Sequence, residues 1–177
     1  RVDVPTDNPT WTERRPHMAA QIAFHDPDIL GVQEAHSAMV GYLADRLPAY
    51  DRYGLGRDDG GPVGETTTLF WKRDRFEALR TRTFWCSPTP EVPSKGWDAA
   101  YPRTVTQVVL RDRRDRRLLD VRNTHFDHVG ATAREECARL VAAMPAVEIE
   151  GAPAEVVLMG DFNIGPDTPP YRRIVAA

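Results

Sequence analysis

Four apolar residues, Val156 to Met159, run directly into Gly160-Asp161-Phe162-Asn163. Because the run does not alternate with polar residues, it predicts a strand buried on both faces. Gly160 ends the strand, and Asp161 and Asn163 then stand at its carboxyl end, where open α/β sheets place ligands. Asp, Asn and Gly are also common turn formers. This stretch alone therefore leaves a simple turn and an active site equally open.

Two further apolar strands end in polar side chains of the same kind. Glu34 follows the short strand predicted over 29–32, and a strand over 118–125 ends in Asn-Thr-His, with Asp127 and His128 just after it. A single Glu or His in such a place is usually structural. Three strand ends with acidic, amide and imidazole groups instead favour a shared site at one sheet edge.

The remaining patterns predict alternating helices and strands. Helical periodicity covers 11–24, 37–47 and 132–144, with Thr10 and Glu13 forming a capping box, and a further helix begins at 171. Strand patterns cover 50–53, 65–71, 76–85 and 103–110, with 65–71 and 76–85 interpreted as a hairpin. The prolines and polar residues of 5–10 predict a loop. The chain of 177 residues is thus expected to form one α/β layered domain over 1–177.

Three loops are long or unusual in composition. Segment 54–64 is rich in glycine but lacks the spacing of a nucleotide-binding P-loop. Segment 86–101 combines prolines with Trp97 and Tyr101, which fits either the wall of a binding site or a small satellite core. Segment 111–117 contains five arginines and is interpreted as a solvated hairpin tip, with a basic lip for phosphate as the alternative.

Composition excludes several classes of protein and leaves others open. The net charge of −3 gives no overall basic signature of nucleic-acid binding. The two cysteines, Cys86 and Cys137, are too few to form a zinc site alone, whereas one disulfide remains open. No apolar run reaches the roughly 18–20 residues of a membrane span. We expect a monomer without a membrane span, and localisation, cytoplasmic or secreted, stays undecided.

The motifs at the three strand ends resemble those of the endonuclease/exonuclease/phosphatase superfamily, which includes deoxyribonuclease I. The matching stretches are 28–34, Asn123-Thr124-His125 and Gly160-Asp161-Phe162-Asn163, in that order, and several loop residues are similar to a bacterial branch. The resemblance implies an α/β (α+β) fold in which two mixed β-sheets pack as a layered sandwich flanked by helices. It also implies metal-dependent hydrolysis of phosphoesters with Mg²⁺ or Mn²⁺.

The resemblance also implies roles for particular residues. Glu34 is expected to ligate the metal, and Asp161 to share the metal or activate water. Asn163 is expected to hold the scissile phosphate. His125 is expected to contact the phosphate, with Glu65 as a partner that fixes its tautomer and raises its pKa. The residues expected to contact the substrate are Arg103, Asn123, Arg57 and Trp97.

Two features of that superfamily have no counterpart in the sequence. These are an early strand carrying an Asn, and late strands that deliver an Asp and then Ser-Asp-His. We therefore expect a domain incomplete at both ends, with unpaired sheet edges and poor catalysis by these residues alone. A non-catalytic metal- or phosphosugar-binding module is the alternative function. Among substrates, a small organic phosphate or phosphodiester is favoured over nucleic acid, in keeping with the acidic pI of about 6.0.

Overall fold

The computed structural model describes residues 10–176, so the loop expected over 5–10 lies outside the described residues except for Thr10. The helices are α1 Trp11–His25, α2 Ser37–Arg46, α3 Ala131–Ala143 and α4 Pro169–Val175. The first strands are β1 Ile29–Gly31, β2 Ala35–His36, β3 Tyr50–Tyr53, β4 Glu65–Thr66, β5 Leu69–Lys72 and β6 Phe76–Trp85. The others are β7 Thr104–Asp112, β8 Leu118–His125, β9 Glu148–Ile149, β10 Ala152–Pro153 and β11 Glu155–Asp161.

Two larger sheets organise the molecule. One has four strands in the order β11-β8-β7-β6, in which only the β11–β8 pair is parallel. The other has three antiparallel strands in the order β1-β5-β3. The parallel pair follows from the crossover through α3, because parallel neighbours need a long connection.

The two sheets pack face to face, and helices cover their outer faces. Strand β5 illustrates this, since Leu69 and Trp71 point into the core between the sheets while Phe70 points to the core under α1 and α2. On the far side, Val105 of β7 packs with Cys137 and Val141 of α3. The expected layered sandwich flanked by helices is thus confirmed, with the layer order helices, sheet, sheet, helices.

The hairpin predicted between 65–71 and 76–85 is wrong. Strand β6 pairs with β7 along its whole length, whereas β5 lies in the other sheet between β1 and β3. The turn at 73–75 therefore carries the chain from one sheet to the other. The 65–71 segment is also interrupted, because the carbonyl of Thr68 accepts hydrogen bonds from Val32 N and from Asn123 Nδ2.

The apolar run of β11 packs on both faces as predicted, with Leu158 on one core cluster and Val157 and Met159 on the other, but it is only partly buried. Among the described residues β11 pairs only with β8, so it forms one edge of its sheet. Val156 is consequently 44% exposed. Strand β1 occupies the corresponding edge of the other sheet and is only partly buried. Both strands therefore have a nearly continuous apolar sequence, yet neither is fully buried.

The loop 86–101 is tied to helix α3 at two points. Cys86 and Cys137 form a disulfide, which decides the question that the sequence left open. The carboxylate of Asp98 accepts hydrogen bonds from Thr132 N at 3.2 Å and Ala133 N at 2.7 Å, in the first turn of α3. The cap residue Gly130 itself has no side chain, so Asp98 satisfies these amides from outside the helix.

The arginine-rich segment 111–117 forms the tip of the β7–β8 hairpin. Arg111 and Arg117 pair with nearby carboxylates, Arg117 with Asp115 at 2.7 Å. The tip precedes the first residue of β8, whereas His125 ends that strand. The hairpin interpretation is therefore confirmed, and the alternative of a basic lip beside the site is wrong.

Every helix within residues 10–176 is too short or too polar to cross a bilayer.

Candidate active site

The parallel pairing of β8 and β11 places His125 beside Asp161. The two residues are register partners, and Nε2 of His125 lies 3.9 Å from Oδ2 of Asp161. The preceding Gly160 adopts φ 144°, and a Cβ there would lie 2.1 Å from the carbonyl oxygen of Thr124. Only glycine therefore allows β11 to approach β8 this closely at the site.

Asp161 and Asn163 form a short turn that also faces the pocket described below. The backbone N–H of Asn163 donates to Oδ1 of Asp161 at 2.9 Å, and Asn163 adopts φ 49°. Its Nδ2 donates to the carbonyl of Phe126 at 2.9 Å, which fixes the amide against the end of β8. The turn is thus part of the site, because it directs the side chains of Asp161 and Asn163 into the pocket.

Glu34 and Glu65 supply two more carboxylates. Glu34 follows β1 in the left-handed region at φ 58°, a conformation that is uncommon outside glycine and recurs at functional sites. Glu65 opens β4, and its Oε2 accepts a hydrogen bond from Nη1 of Arg57 at 2.5 Å. The expected pairing of Glu65 with His125 is therefore not what the structure contains, since Arg57 occupies that carboxylate.

The pKa of His125 is lowered, which contradicts the expected rise. Burial of the imidazole is the main cause, and the positive charge of Arg103 adds to it. Asp161, Glu34 and Glu65 act in the opposite direction but do not prevail. Physically, the ring is almost fully buried at the end of β8, where a charged form loses its hydration.

Arg103 is held by a buried network around Asp127. Its Nε donates to Oδ2 of Asp127 at 3.1 Å, and its Nη2 lies 2.9 Å from Nδ1 of His128. Burial alone would raise the pKa of Asp127. Hydrogen bonds from the backbone N–H groups of Gly130, Val129 and Ala100, together with Arg103, hold it well below its usual range. Asp127 therefore stays ionised and fixes the direction of the arginine.

These groups meet in one pocket of about 390 Å³. Its lining residues are Glu34, Arg57, Glu65, Tyr101, Arg103, His125, His128, Asp161 and Asn163. All the predicted catalytic and metal residues are among them, as are Arg57 and Arg103. The pocket combines carboxylates that suit a cation with guanidinium groups that suit a phosphate, so it can bind both partners of a phosphoester reaction.

Two residues predicted to contact substrate lie elsewhere. Asn123 is fully buried and joins the sheets, because its Nδ2 donates to Val32 O at 3.0 Å and its Oδ1 accepts from Gln33 Nε2 at 2.7 Å. Trp97 is partly buried in its loop and is absent from the pocket lining. Neither position supports the substrate contact predicted for these two residues.

Sequence reasoning missed Tyr101 and His128 as parts of the site. Tyr101 belongs to the aromatic loop that was considered as a binding wall, and His128 follows His125 by three residues. The sequence therefore indicated the loop and the neighbouring histidine, but the aromatic residue selected from the loop was Trp97, which does not line the pocket. What selects Tyr101 is its place next to Asp127, whose Oδ2 lies 3.5 Å from Tyr101 N.

A larger groove of about 590 Å³ adjoins the site between α1 and β1. Most of its surface is apolar, from side chains such as Trp11, Met18 and Ile22, and it shares Glu34 and Glu65 with the smaller pocket. It lacks Asp161, Asn163 and His125. Size therefore does not identify the reactive pocket, and the convergence of polar groups does.

The family model described as "Endonuclease/Exonuclease/phosphatase family" matches residues 8–177 of the chain. The chain belongs to this family. No curated protein sequence gives a significant match.

Solved structures of bacterial members are similar over nearly the whole chain. The mannosyl-6-phosphatase Bt3783 of Bacteroides thetaiotaomicron is 35% identical, with a TM-score of 0.86, over 94% of this chain and 62% of that one. A family protein of Bacteroides vulgatus is 33% identical, with a TM-score of 0.86, over 100% and 68%. A protein of unknown function from Enterococcus faecalis is 25% identical, with a TM-score of 0.84, over 99% and 69%. The chain thus spans about 60–70% of the length of these relatives.

Proposed function

We propose that this chain carries the core of a metal-dependent phosphoester hydrolase that acts on a small phosphorylated substrate. The observation that carries the proposal is the pocket in which Glu34, His125, Asp161 and Asn163 meet beside Arg57 and Arg103. These residues come from strand ends and loops far apart in sequence. Their convergence supports one phosphate-processing site more readily than a set of unrelated turns.

The donor set fits Mg²⁺ or Mn²⁺. Glu34 and Asp161 would hold the ion, since both are exposed carboxylates that line the pocket. Within residues 10–176 there is no group of three or more His, Cys, Asp or Glu arranged as a closed metal cage. Mg²⁺ characteristically needs only one or two carboxylates, with water and substrate oxygens completing its shell. When bound, such an ion polarises the phosphoryl oxygen and offsets developing negative charge.

The other side chains bind the phosphate and orient the nucleophile. Arg103 presents its guanidinium to the pocket while Asp127 and His128 hold its orientation. Asn163 offers amide hydrogens, one of which is used by the Phe126 carbonyl. Asp161, whose side chain is 53% exposed, would orient the attacking water beside the ion that it shares with Glu34. His125 lies 3.9 Å from Asp161 and would contact the phosphate from the buried side.

Two observations favour a small substrate over nucleic acid: the position of the arginine-rich hairpin and the name of a similar protein. The arginine-rich hairpin, which could have formed a surface for a polyanion, lies at the opposite end of β8 from His125. The Bacteroides thetaiotaomicron relative bears the name mannosyl-6-phosphatase. We therefore assign a phosphomonoester of a small organic alcohol as the substrate class.

The test is hydrolysis of mannose 6-phosphate, bis-p-nitrophenyl phosphate and duplex DNA by the intact protein, with Mg²⁺ and with a chelator. We expect Mg²⁺-dependent hydrolysis of the small esters. Glu34→Gln and Asp161→Asn should each lower kcat/KM by about 100-fold or more, because each removes a charge on which the reaction depends. Glu150→Gln serves as the control, since Glu150 is 84% exposed in the β9–β10 turn.

Two results would contradict the proposal. One is hydrolysis that a chelator leaves unchanged. The other is full activity in Glu34→Gln and Asp161→Asn. Binding of phosphate by a protein that hydrolyses none of the substrates would instead support the non-catalytic module.

A further inference from the structure

Tyr101 and His128 form an aromatic pair inside the candidate active site that the reaction itself does not require. Their rings are nearly parallel, with an interplanar angle of 16° and centroids 6.1 Å apart. The guanidinium carbon of Arg57 lies 4.6 Å from the centre of the Tyr101 ring. Both members of the pair line the pocket with Asp161 and Arg103. Tyr101 thus lies between the residues assigned to phosphate and the solvent, with His128 stacked beside it and Arg57 over its ring.

The pair is held rigidly although it is exposed. Tyr101 is 51% exposed. The N–H of the preceding Ala100 donates to Asp127 at 3.1 Å, and the disulfide and Asp98 fasten the rest of the loop to α3. A preformed surface loses little conformational entropy when a ligand covers it.

His128 adds a directed hydrogen-bond donor to this surface. A guanidinium has donors only, so Nδ1 of His128 must accept from Nη2 of Arg103 at 2.9 Å. The proton of the neutral ring therefore sits on Nε2, which can donate to an acceptor on a ligand. The pair consequently offers an apolar ring face together with a fixed polar donor.

We propose that Tyr101 and His128 form the subsite for the leaving group, and that this group is a pyranose ring. The inference rests on the proposed function. The C–H face of a sugar packs on the part of the Tyr101 side chain that Arg57 and His128 leave exposed, and a ring hydroxyl accepts from His128 Nε2. Because His128 contacts Arg103 directly, the pair lies one side chain from the phosphate site. In a hexose 6-phosphate a single carbon separates ring and phosphate, whereas a nucleobase lies beyond a whole ribose.

Equilibrium binding tests the subsite without turnover. The probes are the non-hydrolysable phosphonate analogue of mannose 6-phosphate, inorganic phosphate and AMP, titrated into the intact protein. We expect Tyr101→Ala to weaken binding of the analogue about tenfold more than binding of inorganic phosphate, the scale of one aromatic contact. Tyr101→Phe retains the ring and should restore the ratio of the two Kd values. Phe24→Ala removes another exposed aromatic, 82% exposed on α1, and should leave the ratio unchanged.

The outcomes separate this inference from the proposed function. Tyr101-dependent binding of the analogue by a protein that hydrolyses nothing would sustain the subsite and overturn the hydrolase. Mg²⁺-dependent hydrolysis with a Kd ratio unaffected by Tyr101→Ala would do the reverse. The subsite is also overturned if wild-type protein does not bind the analogue, or if Tyr101→Ala weakens AMP more than the sugar analogue.

Discussion

Asp127 shows how one carboxylate can organise a site without entering it. Its Oδ1 accepts from the N–H groups of Val129 and Gly130, and its Oδ2 accepts from Ala100 and Arg103. It thereby joins the end of β8, the start of α3 and the loop that carries Tyr101. The side chain is fully buried, so its charge is stabilised by these donors rather than by solvent.

This arrangement predicts an acid-sensitive contribution to stability. The folded-state pKa of Asp127 lies below its unfolded value of about 3.9, so the ionised group stabilises the fold above that pH. The contribution is lost as the pH falls toward the folded-state pKa. Asp127→Asn should therefore destabilise the protein by about 3 kcal/mol at pH 7, and by less at pH 2.5. Urea unfolding at pH 7, 5 and 2.5 measures the difference.

Asp45→Asn is the matched control, because Asp45 is an exposed carboxylate on α2. Its substitution should change the free energy of unfolding little at any of the three pH values. A difference between wild type and Asp127→Asn that stays constant with pH would mean that ionisation of this group is not what stabilises the network.

At this scale the sequence identified the residues but not their partners. Glu34, His125, Asp161 and Asn163 were found because each follows an apolar strand, and the carboxyl ends of strands meet at one edge. The partner of Glu65 was mistaken, because Arg57 comes from an irregular loop whose path no periodicity predicts. Asn123 points to the same face of β8 as His125, but it lies two residues deeper, where the other sheet covers it and Val32 and Thr68 accept from its amide.

Among the elements, the loop 86–101 depends on its attachment to α3. Asp98→Ala removes the acceptor for two N–H groups in the first turn of that helix. We expect the melting temperature to fall by about 2–4 °C, the usual consequence of losing one helix cap in a protein of this size. We also expect a higher KM, because Tyr101 is carried by the same loop.

Calorimetry and steady-state kinetics on Asp98→Ala and Asp74→Ala check this expectation. Asp74 is an exposed carboxylate in the turn between β5 and β6, away from α3. Equal melting temperatures for the two variants would show that the contacts of Asp98 do not support the helix.

Most element positions followed from local patterns, whereas their neighbours did not. The boundaries of β6 and β8 coincide with the predicted strands 76–85 and 118–125. The prediction of a hairpin was wrong, because a short turn between two strands can connect neighbours in one sheet or strands in two different sheets. The burial predicted for β11 is incomplete, because an apolar run indicates that both faces of a strand are packed, whereas its exposure also depends on whether both edges are paired.

For the whole molecule, the disulfide joins the sandwich across its outer layer. Cys86 follows β6 and Cys137 lies within α3, 51 residues apart in sequence. In the chain-entropy treatment a link of that length stabilises the folded state by about 4 kcal/mol. A thiol reductant should therefore lower the melting temperature of the wild-type protein.

The variant with both Cys86→Ala and Cys137→Ala supplies the control. Its melting temperature should be lower than that of the wild type and should not respond to reductant. If reductant leaves the wild-type transition where it was, while mass spectrometry finds the thiols reduced, the link contributes nothing measurable.

The in-register pairing of His125 with Asp161 has a consequence for how this protein tolerates change in length. The two residues are joined in sequence by α3 and the small β9–β10 hairpin, but their alignment is set by the ladder between β8 and β11. Residues can therefore be inserted or deleted in the segment 146–153 without moving these two side chains apart. A single-residue insertion within 156–160 would instead turn Asp161 to the opposite side of the sheet. Drift in chain length across homologues is expected to collect in the former segment and to spare the latter.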